Sequence, residues 1–266
     1  MHTQAQTVTH KVSQSALSKL PEITIFFWIM KICATTLGET AGDLLSMTLN
    51  VGYALSSLIL VGFFLVTLGT QLVSKKYNPF LYWAVILSTS TAGTTMSDYM
   101  DRTLGLGYSK GTALLISILI ITLAIWRLSE GTLSVDQIKT PKAELFYWIA
   151  ILFSNTLGTA LGDFLADSSG LGFAGGAALI GGLLLLIVWA YFYTTISRIV
   201  LFWLAFVLTR PFGATVGDVL TKSHAKGGLD FGTVGSSLIL MALLIGFILY
   251  TTFKDKQPPT LTVEAA

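Results

Sequence analysis

The sequence predicts an all-α polytopic membrane protein: eight transmembrane helices, built as four tandem two-helix repeats in pseudo-twofold halves. Three observations predict it. Hydrophobic residues make up 53% of the 266 positions and charged residues only 11%, where a soluble domain carries about 25% charged residues; mean hydropathy is +0.73. The apolar residues fall into long continuous runs rather than alternating ones, which argues against a β-barrel. A tryptophan–glycine–aspartate frame recurs four times.

The same numbers exclude other classes. Sixteen Lys and Arg with fourteen Asp and Glu cannot cover a soluble fold of this size, which argues against a soluble enzyme, a disordered chain or a fibre. Cys33 is the single cysteine, so neither a disulfide framework nor a cysteine metal cluster is available. The charges are scattered rather than patched, so nucleic acid is not an expected partner. The lipid bilayer is.

A span needs about 20 mostly apolar residues. Residues 1–20 are polar, lack an apolar core and read as a disordered cytoplasmic tail. The first repeat, 21–76, holds a run over 23–43 that ends in acids and a charge-free run over 53–73. The second, 77–130, holds 80–98 and 112–126, the latter reaching Tyr108 if Lys110 snorkels. A cytoplasmic linker, 131–143, separates the halves. The third repeat, 144–196, holds 145–163 and 172–193; the fourth, 197–253, holds 200–218 and 231–253. A cytoplasmic tail, 254–266, follows. Lys11, Lys19, Lys75, Lys76, Arg127, Lys139, Lys142, Arg198, Lys254 and Lys256 fall on one side, and Arg102, Lys110, Lys222 and Lys226 on the other. That bias places both termini in the cytoplasm.

The frame itself is Trp28, Gly38, Asp43; Trp83, Gly93, Asp98; Trp148, Gly158, Asp163; and Trp203, Gly213, Asp218, always with ten residues from Trp to Gly and five from Gly to Asp. The residue before each Asp is small: Gly42, Ser97, Gly162 and Gly217. Small-xxx-small pairs let helix backbones approach in lipid, where apolar burial between helices gives no net drive. Asp43 maps to Asp163 and Asp98 to Asp218 with a common offset of 120, so a four-helix unit is doubled. An even number of spans per repeat gives all repeats one orientation and a symmetry axis along the membrane normal.

These frames, and above all Phe27–Trp28 with the string Thr36–Leu37–Gly38–Glu39–Thr40–Ala41–Gly42–Asp43, resemble a family of bacterial membrane-anchored proteins. That family is built from four tandem repeats of unknown function, each with two transmembrane helices and a characteristic tryptophan. The resemblance implies a multi-pass protein of the bacterial inner membrane and implies no activity.

Function must then be read from the charges. A carboxylate at mid-bilayer costs about 2.5–3.5 kcal/mol on insertion scales. The candidate ion-binding set is Glu39, Asp43, Asp98, Asp163 and Asp218 with Asn155; Asp101 and Asp167 are a second tier. Glu39 and Asp43 share a helix face at i,i+4, as do Asp163 and Asp167. Lys31 and Arg210 are the candidate counter-ions within the spans. Three residues before each frame glycine stand Thr35, Ser90, Asn155 and Arg210, so the fourth repeat carries a cation where the others carry a neutral group. Pro211 removes a helix hydrogen bond and predicts a kink beside it, a broken-helix device. An all-oxygen set suits protons or hard cations; which metal, if any, is not specified.

The expectation is a proton-coupled membrane transporter for a cation or cationic solute. The rival is a scaffold or sensor subunit whose aspartates cap inter-helix turns. The tryptophans read as an interfacial belt. His2, His10 and His224 lie outside the spans and no catalytic motif occurs, so neither enzymatic activity nor a cofactor is expected. Oligomeric state is left open.

Overall fold

The computed structural model describes residues 20–138 and 140–255. The terminal tails, with Lys11, Lys19 and Lys256, and Lys139 of the linker lie outside those residues.

The described residues form eight α-helices: α1 (Ile25–Asp43), α2 (Tyr53–Val73), α3 (Pro79–Asp98), α4 (Tyr108–Glu130), α5 (Pro141–Asp163), α6 (Gly172–Tyr193), α7 (Arg198–Thr221) and α8 (Thr233–Asp255). Among these residues no strand occurs, and six stretches are long and apolar enough to cross a membrane: Tyr53–Val73, Tyr108–Glu130, Pro141–Ser168, Gly172–Tyr193, Arg198–Thr221 and Thr233–Lys254. The expected eight are thus met in six. The other two, α1 and α3, carry polar residues on the faces they bury: Lys31, Glu39 and Asp43 in α1, and the seven Ser and Thr residues from Ser88 to Ser97 in α3.

Local chemistry sets the ends. Thr24, Asn78 and Thr140 cap α1, α3 and α5 by accepting backbone N–H bonds from Phe27, Leu81 and Ala143. Pro79 and Pro141 occupy the first turns of α3 and α5, where their missing N–H costs nothing. At the far end, α1, α3 and α5 each unwind into one π-helical turn: Leu44–Thr48, Tyr99–Thr103 and Phe164–Ser168. The elbow after that turn needs positive φ, supplied by Gly52, Gly107 and Gly172. In the fourth repeat a 3₁₀ turn, His224–Lys226, replaces the π turn, and Gly232 takes the elbow position.

The helices form two concentric rings. The tryptophan-bearing helices α1, α3, α5 and α7 each pack against the next, and α7 closes on α1. The other four sit outside. Each outer helix packs chiefly on the inner helix of the following repeat: α2 on α3, α4 on α5, α6 on α7, and α8 back on α1. Hydrogen bonds mark the first and last of these seams, Thr67 to Ser88 at 2.9 Å and Ser237 to Thr40 at 2.8 Å. The repeat is therefore not a self-packed helix pair. Each one is completed by its neighbour, which ties the ring shut.

Glycine makes the inner ring tight. The frame glycines face the polar residue three positions before the next frame glycine: Gly38 meets Ser90, Gly93 meets Asn155, Gly158 meets Arg210 and Gly213 meets Thr35. A Cβ on any of them would overlap its neighbour; at Gly93 it would lie 2.9 Å from the backbone of Asn155 and Thr156. Close approach of this kind replaces the absent hydrophobic drive between helices in lipid.

The tryptophans correct the expectation of an interfacial belt. Of the four frame tryptophans, Trp83 and Trp148 are buried, with exposures of 1% and 0%, Trp203 is buried, and Trp28 is half-exposed. The buried three join Trp126, Tyr82, Tyr147, Phe27 and Phe206 in an aromatic plug of tilted and edge-on contacts. Tyr82 and Tyr147 share a 2.7 Å hydroxyl hydrogen bond across the two halves. A tryptophan near a helix end can face lipid headgroups or the bundle, and here the ring of four inner helices turns three of them inward.

Candidate functional site

Every fourth residue of the inner helices builds one layer. Just past the aromatic plug come Lys31, Ile86, Ile151 and Phe206, all fully buried. Lys31 Nζ lies 3.6 Å over the Phe206 ring and, among the described residues, makes no hydrogen bond and has no carboxylate within ion-pair distance. It therefore does not stand as the counter-ion of the acids that its sequence position suggested. It faces an aromatic ring, which attracts the ammonium through its quadrupole.

The next layer is Thr35, Ser90, Asn155 and Arg210, and the one after is Glu39, Thr94, Thr159 and Ala214, all buried. Arg210 joins them. Its guanidinium pairs with Glu39 Oε2 at 3.1 Å. It donates to the carbonyls of Thr35 at 3.1 Å and Ser90 at 3.2 Å, to Thr159 Oγ1 at 2.8 Å, and to the Thr94 hydroxyl. Thr94 and Thr159 each donate in turn to Glu39 Oε2 at 3.1 Å. One ion pair thus touches all four inner helices. Buried charge is tolerated where the pair is close and further hydrogen bonds support it; both terminal nitrogens of Arg210 are used in this way, while its Nε finds no partner among the described residues. Asn155 Nδ2 donates to Thr89 at 2.8 Å, so it braces α3 against α5 rather than joining the acids.

The helix through Pro211 stays unbroken from Arg198 to Thr221, which corrects the broken-helix expectation. Proline's lost donor is accommodated within a helix held on both sides, as Gly158 against Pro211 and Gly213 against Thr35 and Thr36.

Beyond Glu39 lies the layer that the frame aspartates form. All four converge at one end of the ring and are buried. Two cations bridge them. Arg102 pairs with Asp98 and with Asp163, both at 3.0 Å. Lys222 pairs with Asp43 at 2.6 Å and with Asp218 at 3.1 Å. Each cation lies four residues after the Asp of its own repeat and reaches the Asp of the next one. Both bridges cross between the halves, from the second repeat to the third and from the fourth to the first. The offset of 120 holds for the whole constellation, because Arg102 and Lys222 are themselves 120 apart. Burial disfavours the charge on Lys222, but the carboxylates of Asp218 and Asp43 outweigh it and hold its ammonium above the ordinary lysine range. Arg102 is held up likewise against its burial by Asp98 and Asp163.

Carboxylate oxygens of Glu39, Asp43 and Asp218 lie within 4.8 Å of one another. This all-oxygen group suits a hard cation by ligand type. None of Asp43, Asp98 and Asp163 caps the π turn that follows it with its side chain.

A family model described as a Repeat of Unknown Function (DUF347) matches residues 26–77, 81–132, 146–197 and 201–257. The chain belongs to this family. Each matched segment holds one inner and one outer helix, and the matches begin 55, 65 and 55 residues apart, the spacing of the aspartates. No curated protein and no solved structure matches the chain.

The four repeats of this chain carry unlike residues one turn beyond the aspartates: Met47, Arg102, Asp167 and Lys222. These four residues line a cleft of about 440 Å³ that opens over the aspartates, together with Tyr108, Ala166, Gly172, Phe173 and Lys226. Asp167 is exposed in that cleft, away from the buried Asp163. Asp101 is buried beside Gly111 and accepts a hydrogen bond from Ser97 at 3.4 Å, outside the ring of acids. Arg102 and Lys222 are the site residues that a count of loop charges misassigns. Their signal was the i,i+4 spacing from Asp98 and Asp218.

Proposed function

We propose that the chain is a transporter with eight helices across the bacterial inner membrane, both termini in the cytoplasm, in which the carboxylate ring binds a proton or small cation. One observation carries this reading: among the described residues, five buried carboxylates, Glu39, Asp43, Asp98, Asp163 and Asp218, meet around three paired cations, Arg102, Arg210 and Lys222. Fully ionised, the ring has two negative charges in excess. Buried carboxylates that outnumber the cations paired with them are stabilised by taking up a proton or a cation, and intramembrane carboxylates of this kind mark ion pathways by default.

The mechanism follows from the bridges. Lys222 Nζ stands against Asp43 and Asp218, two members of the three-carboxylate group, as a tethered cation. A free cation or proton entering that group displaces it. Arg102 and Lys222 then release the opposite half at Asp163 and Asp43, so the bundle opens at this end. At the other end the aromatic plug and the Tyr82–Tyr147 bond hold the two halves together. Rocking of the halves about the Arg210 layer exposes the ring alternately.

The test is flux. Purified protein in liposomes enclosing a pH-sensitive dye is challenged with a panel of mono- and divalent cations. The expected result is a cation-dependent internal pH change that falls to background in Asp43→Asn and Asp218→Asn, both still inserted and folded. Flux that survives in both variants contradicts the reading.

A further inference from the structure

We propose that the cleft over the carboxylate ring binds a small zwitterion, whose carboxylate is taken by Arg102 and Lys222 and whose ammonium is taken by Asp167. The proposal rests on the reading of the ring as a transport site, and names what travels with the proton or cation. A volume of about 440 Å³ is in the range of small-molecule sites. Its charged lining is Arg102, Lys222 and Lys226 against Asp167. On the wall of the cleft cationic side chains outnumber anionic ones, although Arg102 and Lys222 are also the cations bridged to the acidic layer beneath. A solute that carries an anionic group meets those two cations first.

The two bridging cations are built to receive it. Their side chains are 31% and 18% exposed, whereas the carboxylates they hold are 2–5% exposed. Arg102 is flanked by the rings of Tyr53 and Tyr108, each 5.8 Å away, and donates to the Tyr53 hydroxyl at 3.1 Å, so its plane is fixed. Asp167 is exposed in the same cleft and forms no ion pair among the described residues, which leaves it available to an ammonium group. The exchange is charge-balanced. The solute carboxylate replaces Asp163 on Arg102 and Asp43 on Lys222, and each freed aspartate takes a proton or a cation. Both bridges between the halves are broken in that one step, which couples loading to opening.

The experiment is calorimetric titration of the full chain in detergent. The zwitterion probes are glycine, β-alanine and 4-aminobutyrate, which differ in charge separation; acetate and methylammonium are the single-charge halves. The expected result is saturable heat from at least one zwitterion, at least about tenfold tighter than from either half, and weakened about tenfold by Asp167→Asn, since an ion-assisted hydrogen bond is lost. Lys110→Gln, exposed on α4 and outside the cleft, should leave the binding unchanged. No saturable binding of any zwitterion, or acetate binding as tightly as they do, overturns the proposal. The liposome flux separates the two claims. Proton flux that needs Asp43 without zwitterion binding defeats only the cleft; zwitterion binding with flux that ignores Asp43 defeats only the ring.

Discussion

Replacing Arg210 by methionine is expected to lower the protein's resistance to unfolding by about 3–5 kcal/mol, the usual cost of removing one partner of a buried ion pair. Arg210 is completely buried, and its loss leaves Glu39 charged among Thr94 and Thr159, which can donate but not neutralise. It also removes one donor from each of the carbonyls of Thr35 and Ser90. The double variant Arg210→Met with Glu39→Gln removes both charges and should recover a large part of the loss. Denaturant titration of the detergent-solubilised protein, followed by fluorescence of its six tryptophans, measures both. Equal destabilisation by the single and the double change would mean that packing, not charge pairing, is what Arg210 supplies.

The second large effect belongs to the glycines. Gly93→Ala places a methyl group 2.9 Å from the backbone of Asn155 and Thr156. No rotamer change relieves that contact, so α3 and α5 must separate. Overpacking costs roughly 1–3 kcal/mol in a core that can adjust, and Gly93→Ala should reach at least the upper end. Gly158→Ala overlaps Arg210 and the nitrogen of Pro211 and should behave alike. Gly62→Ala and Gly69→Ala on the outer helix α2 meet nothing within 4 Å and should be near neutral. The folded fraction on size-exclusion chromatography separates the two pairs. Similar loss in all four would contradict the ring packing.

Much of this was legible in the residues. The Trp–Gly–Asp frame marked the inner helices, because small residues at fixed spacing announce close approach, and the aspartates five residues on had to meet once those helices closed on one another. The offset of 120 gave the twofold halves. Three features were not legible for physical reasons. Which way Trp83 and Trp148 turn depends on neighbours, since lipid and protein interior are equally apolar for most of the ring. The seating of α8 on α1 is a closure property, absent from any single repeat. Pro211 reads as a break because its hydrogen-bond deficit is local, while the packing around the continuous helix α7 comes from Gly158 and Thr35 on other helices. Arg102 and Lys222 are legible both as loop charges, because they follow the last apolar turn, and as positive charges that match the acids. The π turn carries Arg102 back over the ring end instead.

Proton release on cation binding tests the central claim most directly. Purified protein in weakly buffered detergent solution is titrated with each cation in turn while pH is recorded. The account predicts that at least one cation displaces protons from the ring, and that Asp43→Asn combined with Asp218→Asn abolishes the release while the protein stays folded. Release that is equally large in the double variant, or no release from the wild-type protein with any cation, would contradict it.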